Sequence, residues 1–363
     1  MAITTAPPAA LPGLPLDDLP RALNKRTLDD RVSFIGAAFG SLALVWLVYF
    51  QLLPFTGLVG FFILWYVAFV AMYAAVSWVA HPRAEIVDRL MTTVMYAAAV
   101  IVGAALVWTI VLIFAKGSDA FFRANFFTHD MAAVHPTDGL SHGGAEHAIV
   151  GSLIILAIAV GFSLPLGLGT AIFLTEVGGR FGVAVRTVVE AMTAVPDLLA
   201  GLFVYVVLIL SLGQDKTGFV AAIAIAVTMT PIVARSAEVA LRVVPGGLRE
   251  AGEALGASQW ATVRRVVLPT ALPGLATALI LAIARGIGET APLLIVSRST
   301  TIFNANPFHN PMTSLPLFIY DGIRSPLKTS NERGYGAAML LLLLVLVLFV
   351  ITRLLARRRV GQR

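Results

Sequence analysis

Two charged residues interrupt one of the most apolar stretches of the chain. Arg285 and Glu289 lie within Thr270–Val296, four residues apart and roughly 22–29 Å along the expected helix. That spacing places both side chains on one helix face. An ionised side chain at the centre of a bilayer costs on the order of 2.5–3.5 kcal/mol, so such residues normally face water or a bundle interior. The pair predicts a polar pathway, which we favour, or a structural ion pair between helices.

An arginine at this depth restricts the cargo of such a pathway. Its guanidinium stays charged and offers a planar fork that suits phosphate, sulfate or carboxylate, whereas a cation pathway would use acids alone. We therefore interpret Arg285 as an oxyanion ligand, with Glu289 either orienting it or accepting a hydrogen bond from a protonated oxyanion. Two further candidates are Arg235, which could instead extend its charge to the membrane surface, and Asp197, which could line the pathway or pair with an arginine on another helix.

A histidine-rich segment precedes the fourth apolar run. Imidazole is a good zinc ligand, but the spacing is irregular and matches no ligand motif, so we predict a solvated docking loop without metal. No P-loop, GxSxG or HExxH pattern occurs, and the sequence therefore predicts a non-catalytic chain. The residues of this segment are His129, Asp130, His135, His142, Glu146 and His147.

Composition defines the class of protein that holds these residues. The chain has 363 residues, of which 58% are hydrophobic and 13% charged, and its mean hydropathy is +0.88. A soluble domain carries about 25% charged residues, so this composition predicts an all-α integral membrane protein. The net charge of +6 comes from basic residues at the ends of apolar runs, which does not favour nucleic acid as a partner. The absence of cysteine excludes disulfides and thiolate metal sites.

About eight apolar runs are long enough to cross a bilayer, for which about 20 residues suffice. Lysine and arginine concentrate in alternate connecting segments, which places both termini and residues 245–269 in the cytoplasm. Residues 1–31 are predicted to be a cytoplasmic tail and 356–363 a basic one. The predicted spans are Val32–Leu53, Phe55–Ala80, Leu90–Ala115, Ala148–Glu176, Thr187–Leu212, Phe219–Leu241, Thr270–Val296 and Tyr335–Leu355.

The polar interval before the seventh span has a defined pattern. Good helix formers run to Leu255, Gly256 interrupts them, and Ser258 stands where it would cap a second short helix. Both pieces have an apolar and a charged side. On these grounds alone, the segment is equally an ordinary amphipathic loop or a docking site for another protein.

The spacing of this interval resembles the EAA loop of ABC-transporter permeases. Glu250-Ala251-Gly252 stands for the EAA triplet, Gly256 for the following glycine, Val266 for the isoleucine and Leu268-Pro269 for the end of the pattern. The resemblance implies that the segment couples the chain to a separate ATPase. The third position is glycine instead of alanine, which we expect to loosen the first helix.

Three more stretches resemble the PstA family of phosphate permeases: residues 195–205, 285–296 and 306–320. The likeness extends over residues 89–355, which implies a six-helix core like that of type I ABC importer permeases. Residues 32–80 would then be an additional N-terminal hairpin. Asp197 departs from the small polar residue usual at its position, which leaves the local charge of the pathway open.

The resemblance also implies partners and location. A PstC-like permease would complete the pathway, a PstB-like ATPase dimer would bind ATP and Mg²⁺, and a PstS-like protein would deliver phosphate. This chain itself would bind no cofactor and would lie in a bacterial plasma membrane. The alternatives are a permease for a different oxyanion (sulfate, molybdate or phosphonate), an ATPase-independent anion carrier or channel, and a non-transporting membrane scaffold or sensor.

Overall fold

The computed structural model describes residues 28–53, 56–80, 82–135 and 138–360. These residues form helices and connecting segments without any strand, which confirms the predicted all-α class. Seven of the helices are long and apolar enough to cross a membrane, and one bent pair would make eight. Most of the predicted N-terminal tail, Pro54 between the first two predicted spans, and the last three residues lie outside the described ranges.

The chain divides into two compact units, Met1–Val107 and Trp108–Arg363. In the first unit, α1 (Leu28–Trp46) continues as a π-helical turn to Leu52, and α2 (Leu58–Ala80) follows. The division falls within the long helix α3 (Arg83–Phe121), beyond the end of the predicted hairpin 32–80. That the hairpin is an addition to a permease core stays a prediction.

Aromatic side chains hold α1 against α2. Tyr49 and Phe61 pack edge to face with ring centroids 5.7 Å apart, and the Tyr49 hydroxyl donates to the Gly57 carbonyl at 2.9 Å. Phe34 of α1 likewise packs edge to face on Phe69 of α2, with ring centroids 5.3 Å apart. Aromatic pairs of this kind add about 0.5–1.5 kcal/mol each beyond the area they bury.

The second unit is built around one buried helix, α8 (Gly218–Arg242), whose first turn is capped by the Thr217 hydroxyl accepting from the Val220 amide. Neighbouring helices approach α8 closely through glycine. A Cβ on Gly167 would lie 2.7 Å from Val233, and one on Gly286 would lie 2.4 Å from the Met229 sulfur. Small residues at such crossings are typical of membrane helix bundles. The helices of this unit are α4 (Asn125–Thr128), α5 (Glu146–Ile172), α6 (Gly179–Ala194), α7 (Asp197–Val204), α8 (Gly218–Arg242), α9 (Gly246–Ala254), α10 (Gln259–Thr262), α11 (Leu268–Gly288), α12 (Ala291–Val296), α13 (Leu315–Arg324) and α14 (Lys328–Val360).

The fifth predicted span, Thr187–Leu212, is not a straight helix. The helix α6 ends at Ala194, and the helical segment Asp197–Ser211 leaves it at an angle of 104°. The reason is Pro196, which has no N–H to donate and restricts the preceding residue to extended backbone. Val195 accordingly has φ −70° and ψ 127°.

The seventh predicted span, Thr270–Val296, is also interrupted. The helix α11 ends at Gly288, Glu289 is extended with φ −68° and ψ 121°, and α12 begins two residues later. Arg285 therefore lies in the last turn of α11, and Glu289 lies at the break instead of inside a continuous helix.

Candidate functional site

The two helix breaks meet at Arg285. Its Nη2 donates to Asp197 Oδ2 at 2.8 Å, and its Nε donates to Glu289 Oε1 at 3.1 Å. The Arg285 side chain is 51% exposed in the isolated chain, Asp197 32% and Glu289 10%. Of the two roles predicted for Asp197, pairing with an arginine on another helix is therefore present in the structure.

Local backbone geometry positions these three groups. Asp197 is the first residue of α7, where a carboxylate is favoured by the helix dipole. The helices α7 and α12 touch at backbone distance, because a Cβ on Gly201 would lie 2.6 Å from Pro292 Cα. This close packing holds the start of α7 beside the break that contains Glu289.

The arrangement provides a guanidinium that can exchange its partners. Arg285 uses only part of its donor fork on the two carboxylates, and half of the side chain is exposed. Hydrogen bonds to charged groups contribute about 1.5–3 kcal/mol, so displacement of Asp197 by a tetrahedral oxyanion is energetically accessible. That Arg285, Glu289 and Asp197 line a substrate pathway remains a prediction.

Arg235 belongs to a different cluster. It lies 3.5 Å from Glu190 and 3.9 Å from Glu238, whereas Arg186 and Arg242 each lie 2.8 Å from Glu238. The side chain of Glu238 is almost completely buried. Glu238 was not among the residues predicted from the sequence, although its spacing of three and four residues from two arginines of α8 was a usable signal.

The coupling segment, residues 245–269, has the predicted helix, bend and helix. Helix α9 ends before Gly256, whose φ of +82° is the left-handed conformation that glycine adopts without strain. The Ser258 hydroxyl then accepts from the Ala261 amide and caps α10. A π-helical turn leads into α11, with Pro269 in its first turn. Glu250 and Ala251 are exposed on α9, and Leu268 and Val266 are partly buried.

Gly252 lies within α9 and makes a close contact, whereas the expectation that it loosens the helix stays a prediction. A Cβ at this position would lie 2.9 Å from both the methyl and the hydroxyl of Thr262. Thr262, the last residue of α10, is buried. Glycine at the third position of the triplet therefore permits close packing of α9 against the helix that follows Ser258.

Glu176 is a second residue that was not predicted from the sequence. Its carboxylate forms an ion pair of 2.9 Å with Arg249 of the coupling segment. The two residues are separated by 73 positions, and no local pattern connects them.

The histidine-bearing segment is packed more extensively than predicted. His147 is buried and lies edge-on to Phe318 at 5.4 Å, so the prediction of a solvated loop is wrong at this end. Among the described residues, no group of three or more potential ligand side chains is close enough to hold a metal ion.

Asp130 ties this segment to residues after α12. Its carboxylate accepts from the Phe303 and Ala132 amides at 2.9 and 3.1 Å. Burial opposes ionisation of Asp130, but these two hydrogen bonds, together with nearby imidazoles, hold its pKa below the usual value.

A comparison with known families decides the class of protein. Residues 163–361 match the family described as "Binding-protein-dependent transport system inner membrane component". The chain belongs to this family. It is therefore a multi-pass component of a membrane transport system.

Two curated relatives extend the match toward the N-terminus. The "Phosphate transport system permease protein PstA 1" of Mycobacterium tuberculosis is 37% identical over 261 residues, covering 72% of this chain and 85% of the relative. The corresponding PstA protein of Haemophilus influenzae is 31% identical over 269 residues, covering 74% and 93%.

Solved structures support the fold. The chain resembles a bacterial alginate ABC transporter, solved in complex with an alginate pentasaccharide-bound periplasmic protein, with a TM-score of 0.55 and 14% identity. The superposition covers 76% of this chain and 97% of the other. At this identity the likeness concerns the fold alone, and it agrees with the predicted ABC importer permease.

Proposed function

We propose that the chain is the permease subunit of an ATP-driven importer of inorganic phosphate and forms half of its translocation pathway. The observation that carries this proposal is the 37% identity over 261 residues to a protein named as a phosphate permease. The family match over residues 163–361 includes α6 to α12 and the coupling segment, so the likeness concerns the candidate pathway helices as well as that segment.

Arg285 is the residue that we expect to bind phosphate. In the described structure its guanidinium is occupied by Asp197 and Glu289, and opening of the contact between α7 and α11 would release donors toward the pathway. Glu289 would remain as the partner that orients the arginine. Arg235 on α8, which is paired with Glu190 and Glu238, would present a second positive charge.

The partners follow from the same proposal. A PstC-like permease would supply the other half of the pathway, and a PstB-like ATPase dimer would bind ATP and Mg²⁺. A PstS-like protein would deliver phosphate from outside the cell. Exposed Glu250 on α9 would contact the ATPase, and Gly256 would set the angle of the coupling segment. Movement of that segment would reach α11 through Leu268 and Pro269.

The proposal also includes the location and orientation of the chain. Its place would be a bacterial plasma membrane with the coupling segment and both termini on the cytoplasmic side, as the distribution of lysine and arginine predicts. Accessibility of engineered cysteines to an impermeant reagent in intact cells tests this orientation, since the chain has no cysteine of its own.

Uptake of radiolabelled phosphate by the complete complex tests the function. We expect Arg285→Gln to abolish ATP-dependent uptake. The matched control is Arg123→Gln, because Arg123 is exposed and donates to the Asp119 carbonyl near the end of α3. Competing sulfate, molybdate and phosphonate separate phosphate from other oxyanions. Copurification identifies the ATPase and the binding protein. Transport by the chain without an ATPase would contradict the proposal and favour an anion carrier.

A further inference from the structure

A buried ion pair fastens the coupling segment to the end of α5. Helix α5 continues as a π-helical turn, Phe173–Val177, that contains Glu176. Arg249 Nε donates to both carboxylate oxygens of Glu176 at 3.2 Å, and Nη2 donates to Oε1 at 2.9 Å. The Glu176 side chain is only 7% exposed. A fork of this kind fixes the relative orientation of its two partners as well as their distance.

Arg249 also joins the coupling segment to the end of α8. Its Nη1 donates to the Val244 carbonyl at 2.9 Å, and its Nη2 donates to the Leu241 carbonyl at 3.1 Å. The last carbonyls of a helix have no partner within the helix, and a cation there is favoured by the helix dipole. One side chain of α9 therefore connects two pathway helices, α5 and α8.

The second arm of the coupling segment reaches the same point. Gln259, on the far side of the Gly256 bend, donates its side-chain amide to the Glu176 carbonyl oxygen. Glu176 therefore contacts α9 through its carboxylate and α10 through its backbone carbonyl. Both arms would have to leave this residue for the coupling segment to move independently of α5.

We propose that Glu176 is the positioning residue that makes the coupling segment, α5 and α8 move as one body. This inference rests on the proposed function, because it assumes that an ATPase moves residues 245–269. The chain itself connects the coupling segment to α8 at its start and to α11 through Pro269, but it does not connect the segment to α5. The Glu176–Arg249 pair adds the route to α5, and separating it would leave the Glu176 carboxylate, which is only 7% exposed, without its cation, so we expect the pair to stay closed during movement.

Distances between two labels test this inference directly. Gly247 on α9 and Gly169 on α5 both have open space where a Cβ would stand, and the chain has no native cysteine, so Gly247→Cys and Gly169→Cys accept spin labels without background. The label distance is measured by pulsed electron paramagnetic resonance in the complete complex, with and without a non-hydrolysable ATP analogue.

We expect the distance to stay constant on addition of the nucleotide in the otherwise unchanged chain, and to shift in Glu176→Gln. Glu176→Gln should also lose uptake while the ATPase still copurifies and hydrolyses ATP. Arg249→Lys, which keeps the charge but not the fork, should behave in the same way. The control is Glu332→Gln, which removes the acid of the Lys328–Glu332 pair on α14 and should leave both measurements unchanged.

Three results would overturn the inference. One is a nucleotide-dependent distance in the unchanged chain, and another is a constant distance in both Glu176→Gln and Arg249→Lys. The third is loss of the assembled complex in both variants, which would assign the pair to folding alone. The distance measurement needs no phosphate. If the complex transported a different substrate, the proposed function would be contradicted, but the label distances would still test this inference. A chain that copurifies with no ATPase would contradict both.

Discussion

Substitution of Gly201 by alanine should separate the two helices that hold the Arg285 site. The new Cβ would lie 2.6 Å from Pro292 Cα and 2.8 Å from Pro292 O, and both are backbone atoms that cannot rotate away. Restoring an ordinary contact of 3.4 Å requires α7 and α12 to move apart by about 0.8 Å. Overpacking of this size costs about 1–3 kcal/mol.

The same displacement should weaken the ion pair beside it. Arg285 and Asp197 are 2.8 Å apart, and lengthening by about 0.8 Å would exceed hydrogen-bond range. We expect Gly201→Ala to lower the melting temperature of the purified complex and to reduce phosphate uptake. Gly161→Ala on α5, where a Cβ meets nothing within 4 Å, is the matched control. Unchanged melting and uptake in Gly201→Ala would refute the reasoning.

Three other substitutions probe separate parts of the chain. Arg285→Lys keeps the charge but loses the planar guanidinium, so we expect the KM for phosphate uptake to rise about 10- to 100-fold, the equivalent of one charged hydrogen bond. Gly256→Val places a branched residue at φ +82°, at a cost of about 1–2 kcal/mol, and should lower uptake, whereas Gly256→Asn tolerates that conformation and should retain it. Asp130 has a lowered pKa in the folded chain, so its stabilising effect is present above the usual carboxyl pKa of 3.8 and is lost as the pH falls below it and through the lowered value. The protection of the Phe303 amide against hydrogen exchange, relative to a free amide at the same pH, should fall with this pH dependence in the unchanged chain but not in Asp130→Asn.

Each of these predictions has a contrary result. An unchanged KM in Arg285→Lys would exclude bidentate binding of the anion. Equal uptake by Gly256→Val and by Gly247→Ala, a glycine of α9 with open space around it, would show that the bend is not needed for coupling. Identical exchange profiles for the unchanged chain and Asp130→Asn would mean that the carboxylate does not hold the Phe303 amide.

The coupling segment was predictable because its determinants are local. Gly256 allows a left-handed turn and Ser258 caps the next helix through an amide three residues later, and both effects act over a few residues. The tight contact at Gly252 was not predictable, since it depends on Thr262 across the bend. The sequence pattern predicts the turn but not the side-chain packing that the turn produces.

The candidate pathway was predictable in its residues but not in its partners. The depth of Arg285 in an apolar run identified it, whereas its pairing with Asp197 spans 88 positions and depends on two helix breaks. Burial of His147 was missed for a similar reason, because the side chain that covers it, Phe318, belongs to a helix far along the chain. Contacts between distant segments follow from packing, and a single sequence does not display them.

The net charge of the Arg285 cluster has a consequence for the leakage of anions through the proposed pathway. One positive and two negative groups, Arg285, Asp197 and Glu289, sum to a net charge of −1 when all are ionised. In this arrangement the arginine offers a free anion no net attraction, and the surrounding carboxylates repel it. Under the proposed function, this closed arrangement would therefore disfavour entry of an anion from either side. An anion would gain Arg285 as its ligand once α7 and the end of α11 had moved apart, which would limit leakage between transport cycles.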